Sequence, residues 1–326
     1  MDTDLDLGFS EDQEAIRSAI DRFCTHHAIE DIARQSSMPF PRELWRQLAE
    51  LGVFSAAAPG YPEAGGALEV CAISETLGHH VFPGPIAATF LAIQVLASND
   101  ATAVIGGHAL VSLSSAGRRL LPWGTEAKFF LVADNNTIHR ALAPQKIEPV
   151  STLGGENWGR ATLRIEEALP GSDRGLILSN ISVAAYLSGA AWRLVREAGE
   201  YAATRKQFGK TLGEFQAVAH PLADAAIGLT AAQTLARAAA SYYDHAETND
   251  DLKIQQAQSH AAGALICAQG ASLNAAFVCH QVYAGIGVTL EGPAFHISRR
   301  IRQLASTPPT GTREQELLLA DAGLGA

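Results

Sequence analysis

A chain of 326 residues that is 47% hydrophobic and 18% charged, with a formal charge of −10, holds enough core-forming material for two or three structural units. The acidic balance argues against nucleic acid as the main partner, because phosphate backbones are gripped by clustered Lys and Arg. The first residues, MDTDLDLGFSEDQ, lack an apolar signal core, and no uninterrupted apolar run reaches the roughly 20 residues of a membrane span. A cytoplasmic protein with no membrane partner is expected.

From Ser10 the pattern SEDQ has the form of a capping box, in which Ser10 bonds the Gln13 amide and Gln13 reaches back. A helix is therefore predicted, with Ala15, Ile16, Ile20 and Phe23 at helical spacing. A second helix runs through FPRELWRQLAELGV to Gly52, and ALEVCAISETLGHHV is a third, after the turn-rich APGYPEAGG. Residues 1–100 thus read as a small helical domain. Between 101 and 175 the texture changes to short β-prone runs, ALVSLSS, KFFLVAD and RATLRIEEA, predicting a reduced β domain. Residues 176–326 are Ala-rich, with three long segments of 3.6-residue periodicity, the second carrying Pro221 near its start and the third preceded by Asn249, Asp250 and Asp251. The expected fold class is mainly α with a small β domain, closing on a helical bundle.

Cys24, Cys71, Cys267 and Cys279 form no CxxC pair and sit in apolar helical surroundings, which suggests neither zinc nor a disulfide framework and predicts buried free thiols. The adjacent pairs His26–His27 and His79–His80 point to different sides of a helix and do not converge on a metal. Trp123 and Trp158 read as core residues of the β region. Arg299, Arg300 and Arg302 read as a solvated face held by ion pairs, with CoA phosphates or partner carboxylates as the other reading.

One stretch breaks the alanine-rich bundle: RKQFGK, residues 205–210. Cations at the end of a helix are favoured by its dipole, so Arg205 and Lys206 can be simple caps. They can equally serve a ligand. Arg205 offers a planar fork for a pyrophosphate, Phe208 a face for a purine, and Gly209 a backbone able to turn close by. Farther on, HQVYAGIGVT places Gln281, Gly285 and Gly287 at the end of a long helix, where glycine is also the commonest cap.

Taken together, FPRELWRQLAELGVFSAAAPGYPEAGG, RKQFGKTLGEFQAVAHPLAD and HQVYAGIGVTLEGPAFHISRRIR resemble the acyl-CoA dehydrogenase family along nearly the whole chain. The resemblance implies an N-terminal helical domain, a middle β domain and a C-terminal four-helix bundle, assembled as dimers or dimers of dimers. It implies FAD at a subunit interface, an acyl-CoA thioester substrate and an electron-transfer flavoprotein as acceptor. By match, Arg205 would pair with the pyrophosphate, Gln207 and Phe208 would line the same stretch, Leu212, Phe215 and Gln216 would follow, Gln281 and Gly285 would complete the adenosine side, and Thr312 would join the cofactor contacts.

The sequence departs from the family pattern where the chemistry lies. The family's base is a glutamate that takes the α-proton while the β-hydrogen leaves as hydride to the flavin. Here Thr310 stands at that position, in PPTGTREQEL, and a hydroxyl cannot serve. The alternative family position falls around Ser179 and Asn180, again without an acid; Glu314 and Glu316 are poor substitutes. The segments that hold the flavin ring are not recognisable either, and ALPGSDRG resembles one only superficially. The expectation is a subunit without a base in a heteromeric α2β2 acyl-CoA dehydrogenase, giving the ADP-side half of a shared FAD site to a glutamate-bearing partner. A homodimer with an unrecognised base, or an inactive assembly module, would differ from it in flavin content and in need of a partner.

Overall fold

The computed structural model describes residues 7–35, 37–61, 65–246 and 251–307. Six helices come first: α1 (Glu11–His26), α2 (Ile29–Arg34), α3 (Arg42–Glu50), α4 (Ala67–His79), α5 (Ile86–Val95) and α6 (Ser98–Ile105). The Ser10 box forms as predicted. The Gln13 amide donates to Ser10 Oγ at 3.3 Å, and the Ser10 amide donates to Gln13 Oε1 at 3.0 Å. Helix α4 is capped from outside its own segment: Asp244 accepts the amides of Ala67 and Leu68 at 2.6 and 3.0 Å. That bond ties the N-terminal helices to the far end of the bundle.

Seven strands follow, β1 (Val111–Ser115), β2 (Leu120–Leu121), β3 (Phe129–Asp134), β4 (Thr137–Leu142), β5 (Glu148–Ser151), β6 (Asn157–Arg160) and β7 (Arg164–Ala168). They make a four-stranded sheet in the order β1-β3-β4-β7 and a three-stranded sheet β2-β6-β5. Strand β1 is parallel to β3, with Val111 opposite Phe129, and the other pairs are antiparallel. The unbroken apolar run of KFFLVAD is explained by its place. Phe129, Leu131 and Ala133 join the main core, whereas Phe130 and Val132 join a smaller one with Leu121, Ala141 and Ala161. A strand buried on both faces loses the apolar-polar alternation.

The bundle consists of α7 (Ser172–Thr204), α8 (Gln216–Asp244), α9 (Asp251–Tyr283) and α10 (Pro293–Ala305), with a two-stranded hairpin, β8 (Lys206–Gln207) and β9 (Lys210–Thr211), between α7 and α8. Helix α7 is the spine, packed against α4, α5, α8, α9 and α10. It crosses α4 backbone to backbone: a Cβ on Gly189 would lie 2.0 Å from the Glu75 carbonyl oxygen, and one on Gly78 would lie 2.1 Å from that of Tyr186. Among the described residues two helices are long and apolar enough to cross a bilayer, but the apolar window of α7 is 89% buried inside the protein, as befits a core helix. That of α9 is only 50% buried.

The four cysteines are free, and only Cys267 is partly exposed. Burial pushes the Cys24 and Cys279 thiols up to about 12, so both stay protonated and unreactive. The arginines of α10 overturn the solvated reading. Arg299 and Arg300 are buried and only Arg302 faces solvent. Arg299 donates to the carbonyls of Ala33 and Gln35, which leave the C-terminal end of α2 without helical partners. Trp123 is buried in the core as predicted, but Trp158 is half-buried and lines a cleft.

Candidate functional site

Helices α7 and α9 run antiparallel to α8, so the C-terminal ends of α7 and α9 and the start of α8 share one end of the bundle. Tyr201 and Tyr283, in the last turns of α7 and α9, meet with ring centroids 5.0 Å apart and planes tilted by 43°, which pins those ends together. Beyond Tyr201 the chain turns outward as the β8–β9 hairpin, closed by Lys206 opposite Thr211 and Gln207 opposite Lys210. Its two-residue tip is Phe208 and Gly209, both at positive φ, +52° and +81°. That is the type I′ geometry that a right-twisted hairpin favours. Phe208 is the cost of it: a non-glycine residue in a left-handed conformation, with its ring 94% exposed.

Each predicted contact residue has a definite place. Arg205 is exposed, its backbone fixed by Leu212 N–H donating to its carbonyl at 2.8 Å, and among the described residues its guanidinium has no carboxylate partner. Gln207 is exposed and its side-chain amide donates to the Lys206 carbonyl at 2.8 Å. Glu214 stiffens the turn into α8 by accepting from Thr211 N and Oγ1 at 2.8 and 3.0 Å, and those bonds hold its carboxyl below the usual carboxylate range. Leu212 packs partly into the core, Phe215 is half-buried as the N-cap of α8, and Gln216 is exposed at its first position. Gln281 is exposed in the last turn of α9. Gly285 is exposed beyond it, with open space where a Cβ would go. Gly287 differs from the expectation: a Cβ there would meet Tyr283 Cβ at 2.9 Å, so it serves packing inside the chain. Thr310, Thr312, Glu314 and Glu316 lie outside the described residues.

A second locus was not anticipated. Between α5, α7, α10 and the β unit lies a cleft with about 680 Å³ of non-atom space, walled mainly by apolar groups such as Ile86, Leu113, Trp123, Val183 and Leu304, with Ser179 and Thr307 also on its lining. Its one acidic lining residue is Glu156, 1% exposed, which pairs with the buried guanidinium of Arg300. Glu156 also accepts from Trp158 Nε1 at 2.9 Å and from the Gln303 amide, whose oxygen takes the Gly154 N–H at 2.6 Å. Arg300 donates to Tyr186 Oη and the Gly84 carbonyl, both at 3.3 Å, and Tyr186 donates to the Phe82 carbonyl at 2.9 Å. Burial draws the arginine down to about 10, still well above neutrality. Glu156 is thus committed to Arg300, Trp158 and Gln303. The signal for this network was thin in the sequence, being one glutamate in a glycine turn and one arginine among three.

Comparison with known proteins identifies the family of the fold. Residues 174–323 match the family description "Acyl-CoA dehydrogenase, C-terminal domain" and residues 10–113 match "Acyl-CoA dehydrogenase, N-terminal domain". The chain is 30% identical over 299 residues to acyl-CoA dehydrogenase IpdE2 of Mycobacterium tuberculosis (strain ATCC 25618 / H37Rv), covering 86% of this chain and 88% of that protein. Among solved structures, a Tcur3481-Tcur3483 steroid ACAD variant is similar with a TM-score of 0.79 at 22% identity, covering 96% of this chain and 99% of that one. The ChsE4-ChsE5 complex from Mycobacterium tuberculosis is similar with a TM-score of 0.75 at 21% identity, covering 98% and 100%. At such identities the structural likeness is one of fold. With both family domains matched and a full-length relative at 30% identity, this chain belongs to the acyl-CoA dehydrogenase family.

Proposed function

We propose that this chain is one subunit of an FAD-dependent acyl-CoA dehydrogenase, and that it offers the ADP-side half of a shared FAD site to a partner that carries the catalytic glutamate. The observation that carries this reading is the direction in which the motif residues face. Arg205, Phe208, Gln281 and Gly285 are gathered at one end of the bundle and exposed there, rather than turned into the chain's own cleft.

The residues present fit the cofactor. Arg205 is an exposed guanidinium free to take a pyrophosphate in bidentate fashion. Phe208 offers an uncovered aromatic face to an adenine ring, and the open backbone at Gly285 allows close approach. When bound, the flavin supplies the hydride-accepting chemistry. The chain's own part is to bind, orient and exclude water. The cleft contains no uncommitted carboxylate among its described lining residues, since Glu156 is held by Arg300. That supports assigning the α-proton to a partner's base.

Two further features favour a heteromer. The outer side of α8 and α9 exposes Ile227, Leu273 and Phe277, an apolar stripe of the kind a second bundle covers. The names of two structural neighbours describe paired gene products, and one describes a steroid enzyme; a bulky steroid-derived acyl-CoA is therefore the proposed substrate class and an α2β2 assembly the proposed state. The test is bound FAD per chain by visible absorbance. The chain purified alone is expected to be nearly colourless, and co-expression with a glutamate-bearing relative is expected to yield a yellow, active complex. Stoichiometric flavin on the chain alone would overturn the shared site; failure to gain flavin with any such partner would favour an inactive assembly module.

A further inference from the structure

About two turns farther along α7 than the residues that line the Arg300 cleft, helices α1, α4, α7 and α8 enclose an open cleft with about 1570 Å³ of non-atom space. Its lining concentrates positive charge in a chain of net charge −10: Arg17, Arg22, Arg193, Arg196 and Arg237 against Glu14, Asp21 and Glu75. All five cations are arginine, the side chain whose planar fork matches the oxygens of a phosphate.

The carboxylates of the cleft are already committed. Glu75, 6% exposed at the floor, receives both oxygens' worth of donors from Arg237 at 3.0 and 3.1 Å and faces Arg17 at 3.5 Å. Arg237 and Arg17 both sit over the Phe9 ring, at 4.1 and 4.9 Å, which holds their alignment. Glu14 binds Arg17 at 2.7 Å, and Asp21 lies 2.8 Å from His80 Nε2. Arg193 is taken by Glu30 and Glu197. Arg22 and Arg196, both exposed, are left with no carboxylate partner among the described residues.

Arg196 instead donates toward His79 Nε2 at 3.3 Å. Burial first, then the neighbouring His80 and the guanidinium groups of Arg193 and Arg196, hold His79 down at about 4, so the imidazole is a weak partner for a guanidinium. An anion would replace it with a stronger, charge-assisted bond. Ser18 and Gln233 add neutral donors on the same lining.

We propose that this cleft is a binding site for a small anion bearing more than one phosphate, held at its rim by Arg22 and Arg196 with Arg17 behind them. The recess between four helices and the two unmatched guanidinium groups suit a compact, multiply charged ligand. An acidic protein segment is the alternative occupant that the test must separate.

The experiment is calorimetric titration of the full chain with inorganic pyrophosphate and, separately, ADP, at low salt and at about 0.15 M salt, where exposed charges are largely screened beyond ~8 Å. Saturable one-to-one binding is expected, weakened at least tenfold in R196Q and in R22Q and lost in the double variant, with circular dichroism and Tm unchanged because both side chains are exposed. R205Q removes any pyrophosphate held at the proposed cofactor face, so binding that persists in R205Q and is lost in the R22Q/R196Q double variant belongs to this cleft, independently of that proposal. Binding that survives the double variant, or heats that never saturate, would mean an adventitious ion only and overturn the site. So would binding of a glutamate-rich peptide with pyrophosphate inert, which would make the cleft a protein-docking surface.

Discussion

Arg300 and Glu156 illustrate how a buried pair holds distant segments together. Between them they engage α10, α7, the α4–α5 loop and the turn before β6. Removing one partner leaves a charge buried alone, whereas removing both lets the site relax. R300M should therefore lower the unfolding free energy by about 3–5 kcal/mol, and R300M/E156Q should lose less than the sum of the two single variants. Urea midpoints of the four proteins give the comparison, and strict additivity would mean that the two residues do not act as a pair. At the hairpin the opposite holds. Arg205 and Phe208 are exposed and make few internal contacts, so R205Q and F208A should shift stability by no more than about 0.5 kcal/mol while reducing flavin content of the co-expressed complex several-fold. A large loss of stability in either variant would show that the hairpin serves the fold instead.

At the scale of elements, α7 contains its own control experiment. Gly189 lies where the helix touches the α4 backbone, and a methyl there has nowhere to go; Gly199, in the same helix, has no atom within 4 Å of a would-be Cβ. G189A should destabilise by about 1–3 kcal/mol or more through overpacking. G199A should stabilise by up to about 1 kcal/mol, the ordinary gain of alanine over glycine in a helix. Thermal melts of the two variants check this, and equal effects would exclude close packing as the reason for Gly189. Gly263 and Gly270 of α9 are likewise open, but they flank the exposed apolar stripe. There alanine should help the isolated chain and hinder assembly with a partner, read as a rising melt and a falling complex yield.

For the whole molecule, two features go beyond any single element. One is the half-buried apolar helix α9, whose residues Leu273 and Phe277 are exposed and would be covered in the proposed assembly. The other is a set of histidines kept neutral by the fold. Burial first and then Arg34 hold His296 at about 3, and burial first and then His80 and Arg193 hold His79 at about 4. Both values lie below the ordinary 6.5, so the unfolded state binds more protons between them and stability rises with pH in that window. The contribution is fully present above about pH 6.5 and is lost as pH falls toward 4 and then 3, by up to about 1.4 kcal/mol per pH unit for each histidine. Glu30 adds a further loss below its ordinary 4.5: burial alone would raise it, but hydrogen bonds from Arg34 and Arg193 outweigh that and hold it at about 2. Melting temperature should be flat from pH 8 to about 6.5 and fall steadily below, with a shallower fall in H79Q. A melting temperature that rises on acidification would contradict the assignment.

Local and periodic features were legible from the sequence by itself. The Ser10 box, the helical spacing of α1, α3 and α4 and the long bundle helices all depend on residues within a few positions of one another, where capping and periodicity act directly. Family membership was legible for the same reason, because its motifs are short and contiguous. What only the tertiary structure decided involves partners far apart in sequence. Asp244 capping α4, Glu156 finding Arg300, Arg237 over the Phe9 ring, and the inward burial of Arg299 span from 144 to well over 200 residues. No window of sequence reveals such pairings, because a charge reads as exposed until the packing that desolvates it, and the opposite charge that compensates it, are both in place.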